Sequence, residues 1–102
     1  MINVVAVIVA HAGKREALLA AFRANLPLVR AEAGCIEYTG AVDLEDFGAF
    51  GVPFGPDTLV VIEKWEDADA LKAHARAPHM AAYAATTREL VASRAIHVLR
   101  TV

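Results

Sequence analysis

The run Val4-Val5-Ala6-Val7-Ile8-Val9-Ala10, closed by His11-Ala12-Gly13, decides the fold. Its β-branched residues and the turn that bounds it identify a strand. Side chains alternate between faces along a strand, and here both sets, Val5/Val7/Val9 and Val4/Ala6/Ile8, are apolar. Both faces should therefore be buried. Helices can cover only one face of a small sheet, so the other calls for a second sheet to pack against.

Downstream the period lengthens. From Lys14 to about Ala33, Leu18, Phe22, Leu26 and Val29 fall on one helical face, with Lys14, Arg15, Arg23 and Arg30 elsewhere. Pro27 removes a backbone donor, which predicts a kink or a weak last turn, and Gly34 is expected to end the helix. Cys35 to Val42 reads as a second strand with Ile36, Tyr38 and Val42 on one face and Gly40 giving local relief. Leu44 to Asp57, with three glycines, two prolines and Phe47, Phe50 and Phe54, is a long loop. It reads either as a hairpin connection whose phenylalanines cover the sheet edge or a partner subunit, or as a lid over a pocket. Thr58 to Glu66 is the third strand, with Leu59, Val61, Glu63 and Trp65 sharing a face. Asp67 is placed to cap a short helix to about Arg76, and Pro78 restarts a helix at a first-turn position that proline tolerates. Met80, Tyr83, Thr87, Leu90 and Val91 form its apolar stripe, and Arg94 to Thr101 is the last strand.

The order β-α-β-β-α-α-β is a split βαβ unit used twice, the ferredoxin-like α+β arrangement with an antiparallel sheet. Combined with the two-sided first strand, it predicts a homodimer that packs sheet on sheet, a dimeric α/β barrel. Residues 1–102 fit one domain.

Composition agrees. Hydrophobic residues make up 57% of the chain and aromatics 7%, against about 45–50% apolar residues in an ordinary soluble domain. The excess is alanine in the helical segments and Val, Ile and Leu in the strands, more apolar strand surface than one small domain would cover by itself. A formal net charge of -2 and the lack of a basic run argue against nucleic-acid binding. The single cysteine, Cys35, rules out an internal disulfide and fits a reducing compartment, so a cytoplasmic location is expected. The apolar start, Met1 to Ala10, is too short to span a bilayer and has no basic residue ahead of it, so no membrane association is expected.

Three segments carry a family resemblance. Glu32-Ala33-Gly34-Cys35-Ile36-Glu37-Tyr38 resembles the E-x-G-C-x-x-Y turn of antibiotic biosynthesis monooxygenase (ABM) domains. Val60-Val61-Ile62-Glu63-Lys64-Trp65 resembles their E-x-W strand, and Leu71-Lys72-Ala73-His74 followed by Pro78-His79 resembles their L-x-x-H…P-H broken helix. The landmarks span most of the chain in the right order, and the stand-alone quinol monooxygenases are the nearest type. The resemblance implies a dimer with a pocket between sheet and helices in each protomer. It further implies oxidation of a quinol or polyphenol by dioxygen without flavin or metal. A deprotonated hydroquinone is itself a good electron donor to oxygen, so the protein has to bind the ring, favour its anion and exclude water. Haem-degrading relatives carry an asparagine, a tryptophan and a histidine at positions that fall near Ala6, His74 and Ala84 here, so haem chemistry is not implied.

Each candidate residue has a functional and a structural reading. Trp65 either shapes the pocket or anchors the core with its indole N–H paired. His74, whose unperturbed pKa lies near neutrality, is the base candidate; its alternative is a helix C-terminal histidine meeting free carbonyls. His79 reads as a substrate contact, a helix-start or an interface residue. Tyr38 and Tyr83 are the ring-stacking or hydrogen-bonding candidates, with core packing the expected role of each. Glu63, on a mostly apolar face, is costly unless paired; its functional reading is a substrate contact or a base with a raised pKa, and an ion pair with Lys or Arg is its expected partner. His74 and His79, five apart across a helix break, have no metal-ligand spacing, so no metal site is expected. Cys35 has no activating partner and reads as a small buried hydrophobe. The competing functional readings are a non-catalytic dimeric binding or stress-response module, and an isomerase or decarboxylase on the same scaffold. A pocket filled by its own side chains would favour the module, and a histidine facing an open one would favour an enzyme.

Overall fold

In the computed structural model, which describes all 102 residues, β1 (Ile2–Ala10) lies inside a four-stranded antiparallel sheet of order β2-β3-β1-β4. The other elements are α1 (Arg15–Arg30), β2 (Cys35–Ala41), β3 (Thr58–Trp65), α2 (Ala68–Arg76), α3 (Pro78–Thr87) and β4 (Val91–Arg100). This is the expected ferredoxin-like order. No helix is long and apolar enough to cross a membrane.

The register explains which face is buried. Val4 sits opposite Glu63 on one side and Val98 on the other, and Ala6 opposite Val61 and Ile96, so one face of all three strands meets the helices. Leu18, Phe22 and Val29 of α1 close over it together with Val4, Leu59, Val61 and Trp65. The opposite face carries Val5 beside Ile62, Val7 between Val60 and Ala95, and Leu99 beside Asn3. No helix covers it within the protomer, and Ile62 and Leu99 stay 39% and 49% exposed.

Three local expectations change. α1 ends at Arg30 rather than near Ala33, because the Ala31 and Glu32 amides turn back onto the Pro27 and Val29 carbonyls. Gly34 is therefore not the helix cap. It adopts φ +83° at the entry to β2, and an added Cβ would come within 2.5 Å of the Ala70 Cβ on α2. β2 also contains a bulge between Cys35 and Glu37, so Ile36 is half-exposed while Tyr38 is buried opposite Glu63, and the two do not share a face. β4 starts three residues early, at Val91. The Asp67 cap is as expected: its carboxylate accepts from the Ala70 amide at 2.8 Å, and Pro78 opens α3.

The loop between β2 and β3 is not a lid in this protomer. Asp43 accepts from the Phe54 and Gly55 amides at 2.9 and 2.8 Å, Phe47 and Phe50 pair at 5.9 Å, and all three phenylalanines are exposed away from the cavity described below.

Gly34 thus sets how closely the turn approaches the helix that carries His74. Gly34→Ala is expected to lose about 2–4 kcal/mol in denaturant unfolding, from left-handed backbone strain plus overpacking. Gly13→Ala has a similar φ of +77° but nothing within 4 Å of its Cβ, and should lose only about 1–2 kcal/mol. Equal losses would mean that the contact with α2 carries no weight.

Candidate active site

A cavity of about 420 Å³ lies between the helix-facing side of the sheet and helices α2 and α3. Small residues open it: Ala6 on β1 faces Ala75 on α2 and Ala81 and Ala84 on α3 across a space that larger side chains would fill. The mouth runs along β4, whose Ile96 and Val98 line the cavity and remain more than half exposed. The pocket is not filled by its own side chains.

One wall is a connected polar array inside an apolar frame. The Trp65 indole N–H donates to the Glu63 carboxylate at 2.9 Å. This pairing follows from the strand, because residues two apart point to the same side. The His74 ring lies against Trp65, centroids 4.6 Å apart and tilted by 35°, and meets Tyr38 edge-on at 5.5 Å. His74 Nδ1 is 2.8 Å from Glu32 Oε2, and His79 Nε2 is 3.0 Å from the same oxygen. A carboxylate only accepts, so both rings turn an N–H toward it. For neutral His74 this leaves the lone pair on Nε2. That atom bonds to no protein group, and no buried polar side-chain atom lacks a partner. Nε2 therefore opens onto accessible space, and His74 lines the cavity.

The sequence-derived candidates separate accordingly. His74, Glu63, Tyr38 and Tyr83 all line the cavity; Trp65 and His79 do not. Trp65 is fully buried behind Glu63 and His74, and acts on the cavity only through them. His79 stands behind Glu32. Glu63 has a tryptophan N–H as its partner rather than the expected Lys or Arg. His74 bonds a glutamate rather than helix-end carbonyls. Glu32 is the residue that the candidate set lacks: it belongs to the E-x-G-C turn, and only the fold brings it beside two histidines more than forty positions away.

Burial sets the electrostatics. It pushes the Glu63 carboxyl above its ordinary 4.5, against the opposing pull of the Trp65 hydrogen bond and of His74, with Glu32 adding to the rise. Burial likewise pushes the Tyr38 phenol far up, with Glu63 reinforcing it, and the Cys35 thiol up, with Glu32 and Glu63 reinforcing it. Neither group is set up to ionise. Glu63 is 5% exposed, and its folded pKa lies above its unfolded one. Its contribution is thus intact below pH 4.5 and becomes destabilising as pH rises from there through the folded value. Glu63→Gln, which keeps an acceptor for Trp65, is expected to melt progressively higher than the wild type as the pH goes from 4 to 8. A melting difference that does not vary with pH would show that Glu63 is not strained by burial.

Comparison with known proteins agrees with this architecture. The family model for antibiotic biosynthesis monooxygenases matches residues 1–86. A protein of Escherichia coli K12 named "Probable quinol monooxygenase YgiN" is 37% identical over 98% of this chain and 97% of its own. The crystal structure of PA3566 from Pseudomonas aeruginosa superimposes with a TM-score of 0.82 at 29% identity, over 99% of this chain and 93% of that one. Rv0793 from Mycobacterium tuberculosis gives a TM-score of 0.82 at 27% identity, over 99% of this chain and 94% of that one.

Proposed function

Because the chain belongs to the antibiotic biosynthesis monooxygenase family, we propose that its cavity binds a quinol or related polyphenol and oxidises it with dioxygen, without a cofactor, using His74 as the base. The observation that carries this is the Glu32–His74 pair: Glu32 holds Nδ1, Nε2 has no partner in the chain, and the residue lines an open, mostly apolar cavity. An open cavity faced by a histidine supports an enzyme over a binding module. The 37% identical relative, named as a quinol monooxygenase, supports a quinol.

In this reading the ring enters along β4 and stacks among Phe22, Tyr38 and the helix alanines. Its hydroxyl gives its proton to His74 Nε2. The resulting imidazolium is held by Glu32 on its other nitrogen and by the Trp65 face. The quinolate then reduces dioxygen. One oxygen atom enters a ring carbon, and the other leaves as water with two hydrogens from the quinol, giving a hydroxylated quinone. Turnover with isotopically labelled dioxygen should place one labelled atom in the product. A quinone without label, accompanied by hydrogen peroxide, would mark an oxidase instead.

The open apolar face formed around Val5, Val7 and Ile62 supports a homodimer, with the exposed phenylalanines after β2 as further partner contacts. The free Cys35 thiol supports a reducing, cytoplasmic setting. Val7→Glu would place two charges in a symmetric interface, and buried unpaired charge is costly. The wild type should sediment as a dimer at micromolar concentration and the variant as a folded monomer. A wild-type monomer would remove the second sheet from this account.

A further inference from the structure

The cavity is chemically two-ended. Glu63 and Val98 flank Val4, whereas Leu59 and Arg94 flank Ile8, four residues further along β1. At strand rise the two rows are about 13 Å apart. His74, Glu63 and Tyr38 occupy the first end. Arg94 occupies the second, and it is the only cationic side chain among the lining residues apart from what His74 can become. Its guanidinium takes part in no salt bridge and no hydrogen bond within the chain. Thr87 is the other polar group at that end, and Tyr83 lies within reach of both ends, near enough to Tyr38 to add to the upward push on its phenol. The Thr87 hydroxyl is already committed, donating to the Tyr83 carbonyl at 2.8 Å. Arg94 is also close enough to Tyr83 to pull its phenol down against the larger upward push of burial.

We propose that Arg94 binds a carboxylate on the substrate, so that the ring oxidised here is an acidic quinol carrying its anionic group opposite the hydroxyl that faces His74. This rests on the reading of the cavity as the ring-binding site. A guanidinium presents a planar fork that matches a carboxylate, and the exposed Arg94 offers it at the open mouth of the cavity. Such anchoring fixes which hydroxyl reaches Nε2. The opposite orientation would set the carboxylate against Glu63 and leave Arg94 unpaired.

Binding tests the assignment independently of oxidation. Naphthoate and its uncharged methyl ester are titrated by calorimetry, or by the fluorescence of the single tryptophan, against wild type, Arg94→Gln and Arg94→Lys. Wild type should prefer naphthoate by roughly tenfold or more, the scale of one charge-assisted hydrogen bond. The preference should fall to within about twofold in Arg94→Gln and persist in part in Arg94→Lys. In turnover, the ratio of kcat/KM for a carboxylated over a neutral hydroquinone should collapse in the same order. Equal binding of acid and ester by the wild type, binding of neither, or an undiminished preference in Arg94→Gln would overturn the assignment. A preference for naphthoate that depends on Arg94, with no hydroquinone oxidised, would uphold Arg94 and refute the monooxygenase reading instead.

Discussion

His74→Ala should lower kcat on a hydroquinone by about 10²–10⁴-fold, the range that a positioned general base contributes. The same change removes a ring that packs on Trp65 and Tyr38, so some stability is lost as well, about 1–3 kcal/mol for a change of this kind. The two effects are separable. Binding of a redox-inert aromatic ring should change only a few-fold, because most of the wall is apolar and stays in place. If turnover survives while the melting transition collapses, His74 is a packing residue and the base lies elsewhere.

Glu32→Gln should cost roughly 10²-fold or more in kcat with little change in stability. The carboxylate accepts from His74 and so fixes which nitrogen faces the cavity. A glutamine amide can donate instead, which stabilises the opposite tautomer and turns an N–H toward the substrate. In the serine-protease triad an equivalent acid-to-amide change lowers kcat by about 10⁴-fold through the same reversal. Glu32 is not a catalytic residue here, since it faces the ring only through His74. Its role as a positioning residue predicts an altered pH profile of kcat rather than a uniform loss. Glu32→Asp, which restores an acceptor, should recover part of the rate. Unchanged kcat in Glu32→Gln would mean that the tautomer does not matter.

These two residues also mark what could be read in the chain beforehand. The fold was legible because each element is signalled locally: a strand apolar on both faces, a helical stripe through Leu18, Phe22 and Val29, an aspartate at position 67 placed to cap, a proline at position 78 placed to restart. Glu63 and Trp65 could be paired from strand alternation alone, yet the charge on Glu63 pointed to Lys or Arg, whereas an indole N–H meets it. Glu32 could not be paired that way. Its partners lie forty-two and forty-seven positions away, and the contact exists only because Gly34 lets the turn sit against α2. The bulge at Ile36 was hidden for a related reason: one unpaired residue reverses which side chains face inward, and neither hydrophobicity nor period records it. Arg94 looked like the start of a strand, and its position at the far end of a cavity emerges from the β1–β4 register.

The central claim is that this chain, with its own residues alone, oxidises a quinol with dioxygen through His74. Oxygen uptake by the purified, metal-stripped protein over a panel of hydroquinones, corrected for autoxidation and run beside His74→Ala, tests it most directly. The expected result is protein-dependent uptake in the wild type that falls to near background in the variant. Uptake no greater than autoxidation across carboxylated and neutral hydroquinones, or uptake equal in the wild type and the variant, would contradict it.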